Sequence, residues 1–532
     1  MQHGFFKDRE GNPFLMLGIQ TCNSSTGDRE MLEREILAAK AYHANTLEAP
    51  VYWCEVEKSE GAFDFTQVDE LLELCRAHDL RLILLWFATS KNGHPNYAPE
   101  WVKAHPDVYR LATGPAGAHV ASLSPFCEVT MRADAKAFCA LMGHLKETDG
   151  ERATVLAVQV ENEMGFESTD MDYSPDVLEL YRSAPVPDML RGIRIEDCGV
   201  EPKGDSWSSL FGRYAHEVFS AWGHAVFMNT VAKKGREVYD LPVYINVALQ
   251  ENGFEEAGFC YNAGAAVSRM LDVYKAVAPD IDLICPDMYV PVRERYRRVL
   301  RAYARKDNPL MIPESPVSGI ANAMNIMEAM ADFGCIGMAC FGGANALDTE
   351  GNLLPEAREV AQTFHALSRV APLLVRYRGT GRVHAICQQE FMDCLHLKTE
   401  KYHVEARFMD GHAHFGMGSR INQRDPANRD ILTARGRALL IEEDAHTFYL
   451  AGSGVKVNFI YRPDPENPQE MEHIYPLTAS RQSGTLNYLS VEEGHFEGDQ
   501  WVVDRYRCGD EANMALFVHR GEVVRIRLNP NK

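Results

Sequence analysis

Positive charge is scarce in this chain. Lys and Arg number 54 against 75 Asp and Glu, which leaves a formal net charge of −21. A field of that sign repels phosphate backbones and anionic lipid surfaces, so neither nucleic acid nor a membrane is expected as a partner, whereas a neutral ligand meets no such barrier. No window reaches the roughly 18 apolar residues of a membrane span, and Met1 to Glu10 lacks a basic stretch followed by an apolar core. The expectation is a cytoplasmic protein. Thirteen cysteines are scattered through apolar segments, among them Cys75, Cys139, Cys285, Cys335 and Cys340, without CxxC spacing. Buried free thiols in a reducing compartment are expected, not zinc or a disulfide framework. No GxGxxG opens a helix after the first strand, and GxxxxGK[ST] does not occur, which removes the dinucleotide and P-loop classes. The 19 histidines include no HExxH or similar ligand spacing, so neither a metal nor any other cofactor is called for.

What is present suits a soluble globular protein: 46% hydrophobic and 24% charged residues over 532 positions, too many for one core. From about residue 14 to 370 one alternation repeats, a short run apolar at every position and then a longer segment with apolar residues three and four apart. Such runs suit parallel strands covered on both faces, and the longer segments suit crossover helices. The strand candidates are Phe14 to Thr21, Asn45 to Trp53, Leu80 to Phe87, Val155 to Glu163, Val243 to Leu249, Leu283 to Val290, Leu310 to Glu314 and Cys335 to Phe341. Asp28 is placed to cap the first helix, and Thr66 with Asp69 resembles a capping box on the second. The later crossovers fall near 128–147, 208–235, 262–277, 292–305, 321–333 and 355–370. Eight strands alternating with eight helices predict an α/β fold, a closed (β/α)8 TIM barrel over residues 1–370. The proline-bearing excursion from Met164 to about Trp207 follows a strand's C-terminal end, where such barrels build their sites. Beyond Ala371 the pattern changes to strict alternation, such as Val524, Ile526 and Leu528 against Arg525 and Arg527. Residues 371–532 are therefore expected to form an antiparallel, all-β accessory domain.

Two acids stand where a barrel carries its chemistry. The fourth run ends Val160-Glu161-Asn162-Glu163, and the seventh ends Ile312-Pro313-Glu314 between prolines that fix the backbone. Either glutamate alone reads equally well as a structural acid; the pair is harder to explain that way. Glycoside cleavage needs one protonated carboxyl to assist the leaving group and one ionised carboxylate to attack, about 5 to 5.5 Å apart in retaining enzymes. Like charges at that distance raise one pKa, which would keep Glu163 protonated beside an ionised Glu314.

Asn162-Glu163 and Glu314 resemble the signature of the clan A glycoside hydrolases, Asn-Glu ending strand four and Glu ending strand seven, and the resemblance covers about residues 11–370. Within the clan, Tyr52-Trp53 with Glu57 and Gly61 to Phe65, and Leu85-Trp86-Phe87 with Lys91-Asn92-Gly93 and Tyr97 to Trp101, are similar to family-35 and, less closely, family-42 bacterial β-galactosidases with a C-terminal β-domain. The resemblance implies a retaining exo-acting enzyme that releases terminal β-D-galactosyl residues, with Glu163 as acid/base, Glu314 as nucleophile, and Tyr289 beside the nucleophile. Two departures are visible. Strand two has Tyr52 and Trp53 and no arginine, which favours family 35 over family 42, and strand three has Trp86-Phe87-Ala88-Thr89 where many family-35 enzymes place a sugar-binding glutamate. A β-glucosidase, a β-glucuronidase, an α-L-arabinopyranosidase or a silent carbohydrate-binding barrel thus stays open. The substrate-binding candidates are Asn162, Tyr289, Tyr52, Trp53, Trp86, Asn23 and Asp287; core packing explains Trp53 and Trp86 as readily, and loop roles explain Asn23 and Asp287. The expected partner is an oligosaccharide or glycoside, and a homo-oligomer is left open.

Overall fold

The computed structural model describes residues 4–249, 256–390, 392, 394–408, 435–461, 488–513 and 516–529. Contacts group the chain into two units, one of Met1–Ala39, Asn45–Pro316 and Ile336–Ala344, the other of Lys40–Ala44, Val317–Cys335 and Asn345–Lys532.

The first unit holds eight parallel strands: β1 Met16–Gln20, β2 Thr46–Tyr52, β3 Arg81–Lys91, β4 Val155–Asn162, β5 Val243–Val247, β6 Leu283–Pro286, β7 Met311–Ile312 and β8 Gly337–Phe341. Their order is β6-β5-β4-β3-β2-β1-β8-β7. Between the two ends, Met288 N–H donates to the Glu314 carbonyl at 2.7 Å and Ile284 N–H to Asn308 Oδ1 at 2.9 Å, which nearly closes the ring. The crossovers are α1 Arg29–Ala41, α2 Thr66–Ala77, α3 Glu128–Asp149, α4 Ala215–Val238, α5 Leu271–Val277, α6 Arg293–Tyr303, α7 Ile320–Asp332 and α8 Arg358–Tyr377. This is the (β/α)8 barrel that the alternation predicts.

Strands β1 to β5 are buried at every position, as a parallel strand between helices and a barrel interior must be. The interior is not wholly apolar. Tyr244 on β5 donates to Glu48 on β2 at 3.4 Å, and because these strands are not neighbours the bond spans the barrel. Asp28 caps α1 as expected, its Oδ1 accepting from Met31 N–H at 3.0 Å. At α2 the expectation is corrected: Thr66 is the first helical residue, and Asp64 two positions earlier accepts from both its N–H (3.0 Å) and its hydroxyl (2.7 Å).

In the second unit, α7 and α8 group with two antiparallel sheets. Strands β9 Val383–Cys387, β12 Arg437–Glu442, β13 Thr447–Ser453, β18 Glu522–Leu528, β15 Tyr488–Glu497 and β16 Gln500–Tyr506 form one sheet in the order β9-β12-β13-β18-β15-β16. The other runs β10 Cys394–Lys398, β11 Tyr402–Phe408, β14 Val455–Tyr461 and β17 Phe517–Val518. Val524, Ile526 and Leu528 are buried in a core shared with Val455, Val457 and Phe459, so the period-two pattern marks the inward faces. None of the thirteen cysteines is joined in a disulfide, and no helix among the described residues is long and apolar enough to cross a membrane.

Candidate active site

The site sits at the C-terminal ends of β3 to β7 and begins with a distorted strand end. Glu161 (φ 60°) and Glu163 (φ 46°) both adopt left-handed backbone conformations, which cost on the order of 1 kcal/mol or more each and persist only where neighbours impose them. The neighbours are identifiable. The Glu161 carboxylate accepts from Thr89 N–H (3.1 Å), Thr89 Oγ1 (2.6 Å) and Ser90 N–H (2.7 Å), so it is spent on β3 and is not free to bind a ligand. Glu163 N–H donates to Asn246 Oδ1 at 3.0 Å, and Asn262 Nδ2 donates to the Glu163 carbonyl at 2.8 Å. Beyond it Gly165 lies so close to Asn262 that a Cβ would come within 2.7 Å of that side chain, which locks the loop after β4 onto the segment after β5.

This clamp delivers Glu163 to Glu314. One carboxylate oxygen each from Glu163, Asp287 and Glu314 lies within 4.8 Å of the others. Glu314, only 6% exposed, accepts from Tyr289 OH (3.0 Å), Asn162 Nδ2 (3.3 Å) and Asn246 Nδ2 (3.4 Å). Asn246 thereby serves three groups: its oxygen holds Glu163, and its amide also donates to Asp287 Oδ2 at 2.8 Å. Burial and then the Glu314 charge raise the Glu163 carboxyl to about 7, against opposing contributions from a hydrogen bond with Asp287 and the Lys91 cation. Burial, followed by the charges of Glu314 and Glu163, also holds Asp287 well above the usual carboxylate range; the bond between these two carboxyls requires a proton on one of them. Below the site, Glu48 is held up by burial and then by Glu314. The three rim carboxyls are close enough to ligate a cation, but donors from Tyr289 and two asparagines already occupy Glu314, and Lys91 stands beside the others. That environment suits shared protons.

Of the residues expected at the site, Asn162, Glu163, Asp287, Tyr289 and Glu314 are brought together. Four others are placed elsewhere. Trp53 and Trp86 are fully buried: Trp53 donates to Glu57 at 2.8 Å and packs edge-on against Trp101, while Trp86 donates to Asp134 of α3 at 2.8 Å and contacts Phe138. A ring with no exposed face cannot stack on a sugar, so these two tryptophans are packing residues here. Tyr52 stacks on Tyr97 at 4.8 Å and bonds Thr26 and the Asn23 carbonyl; it lines a depression of about 510 Å³ with Ser24, Lys58 and Gln67 that none of the three carboxyls lines. Asn23 is exposed, and its backbone oxygen accepts from the Tyr52 and Tyr97 hydroxyls.

Asn246 and Lys91 are the contributors that sequence reasoning passed over. Asn246 carried a readable signal, an amide inside the otherwise apolar run Val243 to Val247. Lys91 appeared only within a family motif; its Nζ donates to Asn162 Oδ1 at 2.9 Å and Asn92 Oδ1 at 2.5 Å.

Residues 22–189 match the glycoside hydrolase family 42 model, described as beta-galactosidase. Residues 360–519 match the model of a domain of unknown function, DUF5597. No curated protein matches the sequence. Among solved structures, the catalytic domain of β-amylase from Paenibacillus polymyxa superposes with a TM-score of 0.51 at 12% identity, over 65% of this chain and 97% of that one. The β-galactosidase from Marinomonas ef1 gives 0.48 at 14% identity, over 67% of this chain and 60% of that one. The β-galactosidase from Bacillus circulans sp. alkalophilus gives 0.48 at 15%, over 67% of this chain and 56% of that one. The chain thus spans less than two thirds of those two β-galactosidases, and at 12% identity the β-amylase likeness speaks only to the barrel fold.

Proposed function

We propose that this glycoside hydrolase is a retaining, exo-acting enzyme that releases terminal β-D-galactosyl residues from oligosaccharides or glycosides by double displacement. The observation that carries the mechanism is the separation of Glu163 and Glu314, whose nearest carboxylate oxygens lie within 4.8 Å. Retaining pairs lie about 5 to 5.5 Å apart and inverting pairs, which must admit a water, roughly 6.5 to 9.5 Å, so oxygens this close support retention. Glu314, oriented by Tyr289, Asn162 and Asn246, attacks the anomeric carbon while Glu163 protonates the departing oxygen. Glu163 then takes a proton from the water that releases the sugar. In this reading residues 1–370 are the catalytic domain and 371–532 the accessory one.

The choice of galactose rests on the family-42 match over residues 22–189; the likeness of Tyr52 to Phe65 and Leu85 to Trp101 to family 35 belongs to the same proposal. A β-glucoside or an α-L-arabinopyranoside is the nearest alternative. A β-glucuronide stays beside these alternatives, because acids that flank the anomeric carbon do not select the group at the far carbon of the ring. The silent sugar-binding barrel gives no reason for a glutamate raised to about 7 beside a second acid. Glu314→Gln, with the fold checked by circular dichroism, is expected to abolish turnover across a panel of aryl glycosides differing in one hydroxyl. Undiminished hydrolysis would end the mechanism, whereas turnover without a preference for galactose would end only the sugar assignment.

A further inference from the structure

Lys91 is a cation only 8% exposed, at the very end of β3. It arrives there through an irregularity. From Ile83 opposite Ala157 to Trp86 opposite Val160 strand β3 pairs regularly with β4, and the next pair is Lys91 opposite Asn162, so four residues of β3 face the single residue Glu161. The Glu161 carboxylate fills that bulge and is held by Thr89 and Ser90. A bulge beside a site re-aims the side chain that follows it. Here it turns the ammonium of Lys91 onto Asn162 Oδ1 at 2.9 Å and Asn92 Oδ1 at 2.5 Å, over the Phe87 ring at 5.3 Å.

The consequence lies in the amide. A carboxamide has two orientations related by a half-turn, and its neighbours choose between them. With Oδ1 on the ammonium, Asn162 Nδ2 faces Glu314 Oε1 at 3.3 Å. The flipped amide would set NH2 against an ammonium and a carbonyl oxygen against a carboxylate, two repulsive contacts in place of two hydrogen bonds. Asn162 is fully buried, so no solvent would relieve either contact.

We infer that Lys91 is a positioning residue of the reaction, fixing the Asn162 amide so that its N–H groups face the nucleophile and the hydroxyl of the sugar carbon next to the anomeric centre. The inference rests on the glycosidase reading of the site. Around Glu163, the groups of the cluster are Glu314 of the β7 end, Asp287 of the β6 end, Lys91 of β3 and Glu167 of its own loop, with Lys91 the one cation among them and so the one whose charge favours the ionised form.

The test is a double-mutant cycle of Lys91→Met, Asn162→Ala and their combination. It is read on the aryl β-glycoside that the enzyme turns over fastest and on that substrate's 2-deoxy counterpart. Lys91→Met is expected to lower kcat/KM on the parent glycoside by about 10²-fold, the low end of what loss of one donor preorganised for the transition state costs, and to spare the 2-deoxy substrate largely. The double variant should be no slower than Asn162→Ala, since both changes remove one interaction. The alkaline limb of the pH profile should move to higher pH in Lys91→Met. Lys91→Arg keeps a donor facing Oδ1 and should discriminate between the two substrates better than Lys91→Met does. Equal losses on both substrates, multiplying losses in the cycle, an unmoved limb, or no difference between Arg and Met would each overturn the inference. If these appear while Glu314→Gln is inert, Lys91 alone has been misread; if Glu314→Gln turns over normally, the site itself has been.

Discussion

Raising the pH through neutrality titrates Glu163, and the position of that titration follows from where the strand end puts it. Free glutamate titrates near 4.3, whereas burial and the Glu314 charge raise Glu163 to about 7. The working form for the first step is protonated, so raising the proton affinity preserves activity upward in pH. At pH 7 roughly half the enzyme carries the acid, against roughly one part in 500 for an unshifted carboxyl, a gain on the order of 10²-fold. The profile of kcat/KM, which reports the free enzyme, should therefore fall about tenfold per pH unit above a midpoint near 7. Glu163→Gln should abolish this limb, and substrates with poor leaving groups should lose roughly 10²- to 10⁴-fold. An activated aryl glycoside needs little protonation and should lose less in the first step. Because the second step also loses its base, azide should restore turnover by forming the β-glycosyl azide. A limb centred below pH 5, or the same limb persisting in Glu163→Gln, would refute the acid assignment.

Three further outcomes follow from single contacts. Tyr289→Phe removes the 3.0 Å bond to Glu314; a hydrogen bond to a charged group is worth about 1.5–3 kcal/mol, so kcat should fall roughly 10- to 100-fold with Tm unchanged, and an unaltered kcat would remove Tyr289 from the site. Trp86→Phe removes the indole N–H from the buried Asp134 carboxyl, which should cost about 1–3 kcal/mol by thermal unfolding and leave KM alone, while a large rise in KM would return Trp86 to the pocket. Gly235→Ala should destabilise despite the helix propensity of alanine, worth about 1 kcal/mol, because the new Cβ would sit 2.3 Å from the Phe138 ring between α4 and α3. Overpacking of that kind costs typically about 1–3 kcal/mol, and a raised Tm would show that Phe138 yields.

The barrel was legible because its signal is repetitive. Each strand is buried on both faces and reads as an apolar run, so β1 to β8 lie within or close to the expected segments. The accessory strands announced themselves by the opposite signal, period-two alternation, and β14 and β18 bury the residues that the alternation selects. Tryptophan was misleading because its size suits a sugar platform and a core equally. Which one it becomes depends on the partner the fold supplies, Asp134 from a distant helix for Trp86 and Glu57 within the same turn for Trp53.

The end of β4 shows why periodicity could not finish the site. In a regular strand, Glu161 and Glu163 would share one face and Asn162 would take the other. Two left-handed residues break that alternation, and nothing local in Glu161-Asn162-Glu163 requires them. The cause lies about 70 residues away, in the N–H groups of Thr89 and Ser90 that capture Glu161, and about 80 to 100 residues ahead, in Asn246 and Asn262 that hold the backbone of Glu163. Glu161 and Glu163 have the same side chain two positions apart, yet one braces a neighbouring strand and the other is poised near 7 beside Glu314. Their difference is set by what the barrel brings to each of them, so it becomes readable only once the strands are closed into a ring.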